Sequence, residues 1–393
     1  MHPEQDFPAR PRPRLITPAF VLIALASLAY FTADGILLPA VPRYVEGPLG
    51  GNDVAVGLSV AAFAVTALFL RPWAGRLGDR RGRRLLMLVG GAAVAVSVLG
   101  YVVATTVPLL FAFRLMSGFG EAFFFTGAAS AINDLAPESR RGEAVSFFSL
   151  ALYVGIGIGP VIGEALMESV GFTATWLVAG GFAVLAAVLT LGVPETRPEG
   201  EPPAEPAGLI HPAALRPGTA LLASVWGMSG FFAFVPLYAL DIGLEGSRFV
   251  FLLYSAIVVA IRSFGARIPD IIGPVVASRS ALATSTVGLA VVALWSSPAG
   301  LFVGVSIFAV GSALAFPGLM MLALRGTPAS QRGAIIGTFT AFVDLGFGLG
   351  PATLGVVSEA FGYRGLFLTA SAVAAGGLAL LLTRFRARET VTA

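Results

Sequence analysis

A chain of 393 residues that is 56% hydrophobic and only 12% charged has too few polar groups to coat a water-exposed surface, since average soluble domains carry about 25% charged residues. This excludes a soluble enzyme, a disordered chain and a nucleic-acid-binding module. The net charge of +3 comes from 25 basic residues, all of them arginine, and there is no cysteine, which removes disulfides, iron–sulfur clusters and thiolate catalysis. The two histidines, His2 and His211, lie in polar segments, so neither a metal site nor a histidine proton relay is expected, and no cofactor is implied.

Residues 1–14 are polar and carry Arg10, Arg12 and Arg14 ahead of an apolar run that continues to about Val41. A signal-peptide core spans about 7–15 residues, so this run reads as an uncleaved first span. Further apolar runs fall at 54–75, 84–106, 108–132, 142–167 and 173–193. The stretch 194–216 is rich in Pro and Glu and reads as a linker. Six more runs follow, at 217–240, 248–268, 279–297, 299–325, 333–358 and 364–383. At about 20 residues per crossing, the expectation is an all-α integral membrane protein of twelve transmembrane helices. Its parts are an N-terminal six-helix bundle (1–193), a cytoplasmic linker (194–216) and a C-terminal six-helix bundle (217–393).

Arginine bias sets the orientation. With both termini cytoplasmic, nineteen arginines lie inside, three outside (Arg43, Arg248 and Arg364) and three within runs (Arg71, Arg114 and Arg262). An internal repeat supports the count. At a constant offset of 191, Arg71, Arg76, Asp79 and Gly82 map onto Arg262, Arg267, Asp270 and Gly273, and Gly155, Gly157, Gly159 and Pro160 map onto Gly346, Gly348, Gly350 and Pro351. Six spans per copy give both copies the same orientation, as in parallel repeats related by an axis along the membrane normal.

Four motifs carry chemistry. After the second span the chain reads Gly75-Arg76-Leu77-Gly78-Asp79-Arg80-Arg81-Gly82-Arg83-Arg84. Its glycines allow close helix approach and a tight turn, and Asp79 can pair with arginine or cap a helix; a plain positively charged loop is the alternative. The fifth span carries Gly155, Gly157, Gly159, Pro160 and Gly163, followed by Glu164. Small residues there give a flat face and Pro160 a bend, and generic helix packing is the plainer reading. The first span ends Asp34-Gly35-Ile36-Leu37-Leu38-Pro39, and the fourth carries Arg114-Leu115-Met116-Ser117-Gly118-Phe119-Gly120-Glu121.

These segments resemble the major facilitator superfamily, whose signature between spans 2 and 3 is G-x-L-x-D-R-x-G-R-[RK]. The first- and fifth-span patterns are similar to its drug:proton antiporter branch with twelve spans, with Glu164 standing where that branch has a glycine. The resemblance covers essentially the whole chain. It implies that fold, with two pseudo-symmetric six-helix bundles. It also implies a gating role for Gly75, Asp79, Arg80, Gly82 and Arg83, an antiporter-like helix at Gly155, Gly159, Pro160 and Gly163, and proton coupling through Arg114.

Asp34, Arg114, Glu121, Glu164 and Asp344 fall within apolar runs, where each charge costs about 2.5–3.5 kcal/mol on insertion scales. They are therefore expected to face the interior or water. Spacing along the spans puts Asp34 and Arg114 at similar depth and Glu121 two turns further along the Arg114 face. The expected proton path uses Asp34 and Glu121 as carriers, Arg114 as the switch and Asp344 as a further carrier; a satisfied ion pair is the structural alternative. Arg71 and Arg262 are expected near the cytoplasmic ends, snorkelling or bracing the loop motif. Phe124, Phe231, Phe234 and Tyr238 are expected to line a cavity for a lipophilic, cationic substrate, with lipid-facing positions as the alternative.

No G-x-x-x-x-G-K-[ST] loop is present, which disfavours an ATP-driven pump, and the duplicated halves disfavour a channel. Asparagine occurs only at Asn52 and Asn133 and glutamine only at Gln5 and Gln331, which makes a polar sugar cage hard to build. The expected function is proton-coupled efflux of a small lipophilic or amphipathic compound. A sugar or small-metabolite permease is the alternative. Expected partners are the substrate, protons and membrane lipid, but no nucleic acid. The expected form is a monomer in a bacterial inner membrane.

Overall fold

A computed structural model describes residues 15–137, 140–197, 211–265, 268–328 and 331–383. The polar N-terminal arginines and most of the 194–216 stretch lie outside these residues. The elements, in order, are α1 (Pro18–Glu46), α2 (Asp53–Arg81), α3 (Arg83–Gly100), α4 (Val107–Leu135), α5 (Arg141–Leu191), α6 (Pro212–Asp241), α7 (Arg248–Phe264), α8 (Ile268–Ile272), α9 (Pro274–Leu294), α10 (Pro298–Leu324) and α11 (Arg332–Thr383). α5 and α11 are each two spans joined at one glycine, Gly171 (φ 83°) and Gly362 (φ 67°). Only a residue without a Cβ turns the chain so sharply in the positive-φ region. With these breaks, and with the five-residue α8 set aside, twelve spans result.

Side chains set the helix starts. Thr17, Asn52, Thr106 and Ser297 each accept from a backbone N–H in the first turn, which satisfies an otherwise orphaned donor. His211 does the same for α6, so residues 212–216, expected in the linker, are helical. The expected loop after span 2 is also corrected. α2 continues through Arg81, and Gly82 (φ 104°) alone separates it from α3. Gly273 (φ 81°) starts α9 in the same way.

Lipid offers no hydrophobic drive for helix pairing, so close packing of small residues does the work. α1 lies on α5 with almost no side chain between them: a Cβ on Gly159 would sit 2.5 Å from Gly35 Cα, and one on Gly163 would sit 2.8 Å from the Ile36 carbonyl oxygen.

The turns at 47–52, 171, 242–247, 295–297 and 362 mark one end of the bundle, which holds few arginines and is called here the arginine-poor end; Gly82 and Gly273 mark the arginine-rich end. Polar contacts join the first six spans to the last six at two levels. At the arginine-poor end, Glu164 accepts from the Ser247 N–H (2.7 Å), the Ser247 hydroxyl (2.7 Å) and the Arg248 N–H (2.9 Å). Beside it Arg248 pairs with Glu168 at 3.2 Å. Across the bundle Glu359 accepts from the Asp53 N–H at 3.1 Å, and Gly57 lies against the Pro351 backbone. The second level lies nearer the arginine-rich end, at Arg71–Asp344 and at Arg262, in the last turn of α7, with Tyr153.

Candidate functional site

The second level brings together three of the expected acids. The Tyr30 hydroxyl donates to Glu121 Oε2 at 2.7 Å. Arg71 Nη2 lies 3.9 Å from Glu121 Oε1 and 2.9 Å from Asp344 Oδ1. A chain of polar contacts therefore runs from α1 through α4 and α2 to α11, linking the two halves. Arg71 also sits 4.9 Å from the centre of the Phe125 ring, and Tyr30 stacks on Phe124 at 4.2 Å. Asp34 lies within electrostatic reach of Glu121 and Arg114 and has no hydrogen bond or ion pair among the described residues. Asp34, Glu121, Asp344 and Arg71 all retain some exposure. Acids at this depth are functional candidates by default.

Two expectations need correction. Among the described residues Arg114 makes no ion pair with a carboxylate. Its Nε donates to the Ser59 carbonyl at 3.0 Å and its Nη2 to the Val60 carbonyl at 3.3 Å, with the guanidinium 5.0 Å from the Phe63 ring centre. Helical carbonyls keep a second lone pair for such bonds, and Arg114 is held there. Arg71 makes the ion pairs with Glu121 and Asp344, while Arg114 stays within electrostatic reach of Asp34. The sequence hid this because the apolar run stops near residue 75. α2 runs ten residues beyond Arg71, which lifts Arg71 about 15 Å from the helix end.

The second correction concerns the aromatic residues. Phe124, Phe231 and Phe234 are 0% exposed and Tyr238 is 2%, so none lines an open cavity. They fill the bundle interior instead. Phe231 packs on Phe308 and Phe367 at 5.3 and 6.1 Å, and the Tyr238 hydroxyl donates to the Val292 carbonyl at 2.9 Å. A separate crease of about 260 Å³ runs between α2 and α11, lined by Leu58, Val65, Phe69, Phe111 and Leu349, among others, with Asp344 its one charged lining residue.

At the arginine-rich end, Arg83 donates to Asp79 at 2.6 Å and to Asp134 at 3.2 Å. Glu195, just past the sixth span, accepts from the Arg83 N–H at 2.8 Å and the Arg84 N–H at 3.3 Å, capping α3. A Cβ on Gly82 would strike the Glu195 carboxylate, and Gly75 has open space around it. Arg80 contributes its carbonyl, which accepts from Arg197 at 2.6 Å. Asp134 and Glu195 escaped sequence reading, because neither lies in the motif and both reach it only through folding.

The sequence profile of the Major Facilitator Superfamily matches residues 23–351. The uncharacterized MFS-type transporter STM4428 of Salmonella typhimurium is 29% identical over 372 residues, covering 92% of this chain and 95% of that one. Multidrug resistance protein 1 of Bacillus subtilis is 36% identical over 174 residues, 44% of each chain. The crystal structure of the human organic anion transporter MFSD10 superposes with a TM-score of 0.72 at 20% identity, covering 93% of this chain and all of that one. With twelve spans, two like halves and polar contacts joining them at two levels, the chain belongs to the Major Facilitator Superfamily and is a multi-pass membrane transporter, not an enzyme.

Proposed function

We propose that this transporter is a proton-coupled antiporter that exports a small amphipathic compound by alternating access. The observation that carries the reading is the cluster around Arg71. Two carboxylates, Glu121 and Asp344, share one guanidinium, Arg71, across the seam between the halves, and a third, Asp34, lies within electrostatic reach of Glu121. A proton or a cationic group of the cargo can satisfy the excess acid, and one excludes the other, which is the logic of antiport. Because Arg71 pairs with acids from both halves, changing the charge there changes what holds the halves together. Arg114 positions α4 on α2. The partial likeness to a multidrug resistance protein agrees with this assignment.

In this proposal the bundles span 1–193 and the segment from α6 onward, the arginine-rich end is cytoplasmic, and the protein works as a monomer in a bacterial inner membrane. The contacts of Glu164 and Glu359 then close the outer side. The antiporter-like glycines Gly155 and Gly159, with Pro160 and Gly163, hold α5 on α1. The test is proton release when lipophilic cations are added to detergent-purified protein. Wild type is expected to release protons, and Asp34→Asn with Glu121→Gln to release fewer. Equal release overturns the coupling assignment, and a reporter fused at residue 205 that reads outside overturns the orientation.

A further inference from the structure

The repeat offset of 191 relates two seams. Arg71 meets Asp344 where α2 faces α11. The equivalent positions, Arg262 and Tyr153, meet where α7 faces α5. In the first seam a guanidinium sits on a carboxylate at 2.9 Å. In the second the Arg262 guanidinium lies 4.9 Å from the Tyr153 ring centre and donates to its hydroxyl at 3.4 Å. A phenol thus stands where the related seam has an acid. Among the described residues no carboxylate pairs with Arg262, and its Nε is buried without a partner.

The surroundings of Arg262 are rich in donors. Ser255, two turns along the same face of α7, holds a buried hydroxyl with no partner among the described residues. The Tyr254 hydroxyl donates to the Met228 thioether at 3.3 Å and lies by the Ser312 hydroxyl of α10. Arg262 itself is partly exposed. A guanidinium with no acid paired to it among the described residues, a phenol against it and an unpartnered Nε has the chemistry of an anion receiver.

We propose that Arg262 and Tyr153 form an anion subsite on the seam opposite the acid cluster, and that it takes the carboxylate of an amphipathic cargo. This rests on the transport reading above. The cation of the ion pair is Arg262, Tyr153 supports it through its ring and hydroxyl, and the apolar body of the ligand lies in the space between the halves. A cargo bearing both an amine and a carboxylate then meets acids on one seam and Arg262 on the other.

The test is equilibrium dialysis of tritiated 2-naphthoate with the purified full-length protein, against 2-naphthylmethanol as the neutral control. Wild type is expected to bind naphthoate saturably and more tightly than the alcohol. Arg262→Gln is expected to weaken binding about tenfold or more, the loss of one charge-assisted contact, with Arg262→Lys retaining most of it. Tyr153→Phe weakens it by a smaller factor. Proton release by wild type on addition of a lipophilic cation is read in parallel, so failure of coupling (no release) and failure of the subsite (no saturable naphthoate binding) are separate results. Binding of 2-naphthylmethylammonium checks that each variant is folded; if Arg262→Gln does not fold, the Arg262→Lys and Tyr153→Phe affinities decide. Equal naphthoate affinity in the variants that fold and wild type, no advantage over the alcohol, or displacement by phosphatidylglycerol micelles in an Arg262-dependent manner with no saturable naphthoate site overturns the proposal.

Discussion

Replacing Glu164 by glutamine tests whether its contacts hold the arginine-poor end shut. The carboxylate is fully buried and accepts three hydrogen bonds from the start of α7, in the other half of the protein. A glutamine keeps one acceptor oxygen, loses the charge and turns an NH₂ group toward donors. Hydrogen bonds to a charged group contribute about 1.5–3 kcal/mol each. Opening returns all of these groups to water, so a net loss of about 2–3 kcal/mol is reasonable for the closed form. That is roughly 30- to 140-fold in the equilibrium, enough to take a population about 99% closed down to about 40–80%. The chain has no cysteine, so Val170→Cys with Phe249→Cys, both exposed and on opposite halves at the arginine-poor end, gives a labelled pair without background. Pulsed electron-electron resonance in nanodiscs is expected to show a new, longer distance in the Glu164→Gln variant. Glu168→Gln, which removes only a partly exposed pair worth about 0–1 kcal/mol, should leave the distribution nearly unchanged. Identical distributions in wild type and Glu164→Gln refute the reasoning.

Other outcomes follow from the same contacts. Arg71→Gln strands two carboxylates and lowers the melting temperature, and adding Asp344→Asn restores part of it; a double-mutant cycle should return a coupling of about 1–2 kcal/mol, and additive effects would rule the pair out. Asp79→Asn and Glu195→Gln each cut transport severalfold with near-normal expression, since both loosen α3 from the end of α2; full transport rates in both remove the gating assignment. Gly155→Val abolishes folding, because a Cβ there already lies 2.6 Å from the Phe31 backbone, whereas Gly181→Ala, with nothing within 4 Å, is tolerated; size-exclusion profiles of the two variants check this.

The number of spans and the doubling were legible because each rests on a local signal, apolar length or repeated residues. The buried acids were legible for the same reason: Asp34, Glu121 and Asp344 stand out in apolar runs. Their partners were not, since pairing is settled by helix length and register. Arg71 looked terminal until α2 was seen to continue to Arg81. Glu164 carried no visible partner because it is 83 residues from Ser247. The aromatic positions failed for a different reason: composition puts Phe231 and Phe234 in a span, but only the rotation of α6 decides whether they face a cavity or the bundle interior.

The single-glycine turns at Gly171 and Gly362 shape how the arginine-poor end can be recognised by a binder. With connections at that face no longer than six residues, the protein offers no protruding epitope there. An antibody or nanobody approaching that surface must read the helix ends themselves, including the start of α7 beside Glu164 and the start of α2 beside Glu359. Those ends are the parts that separate when the halves part. Binders selected against this face are therefore expected to discriminate one transport state from the other, and to act as conformational locks without being chosen for it.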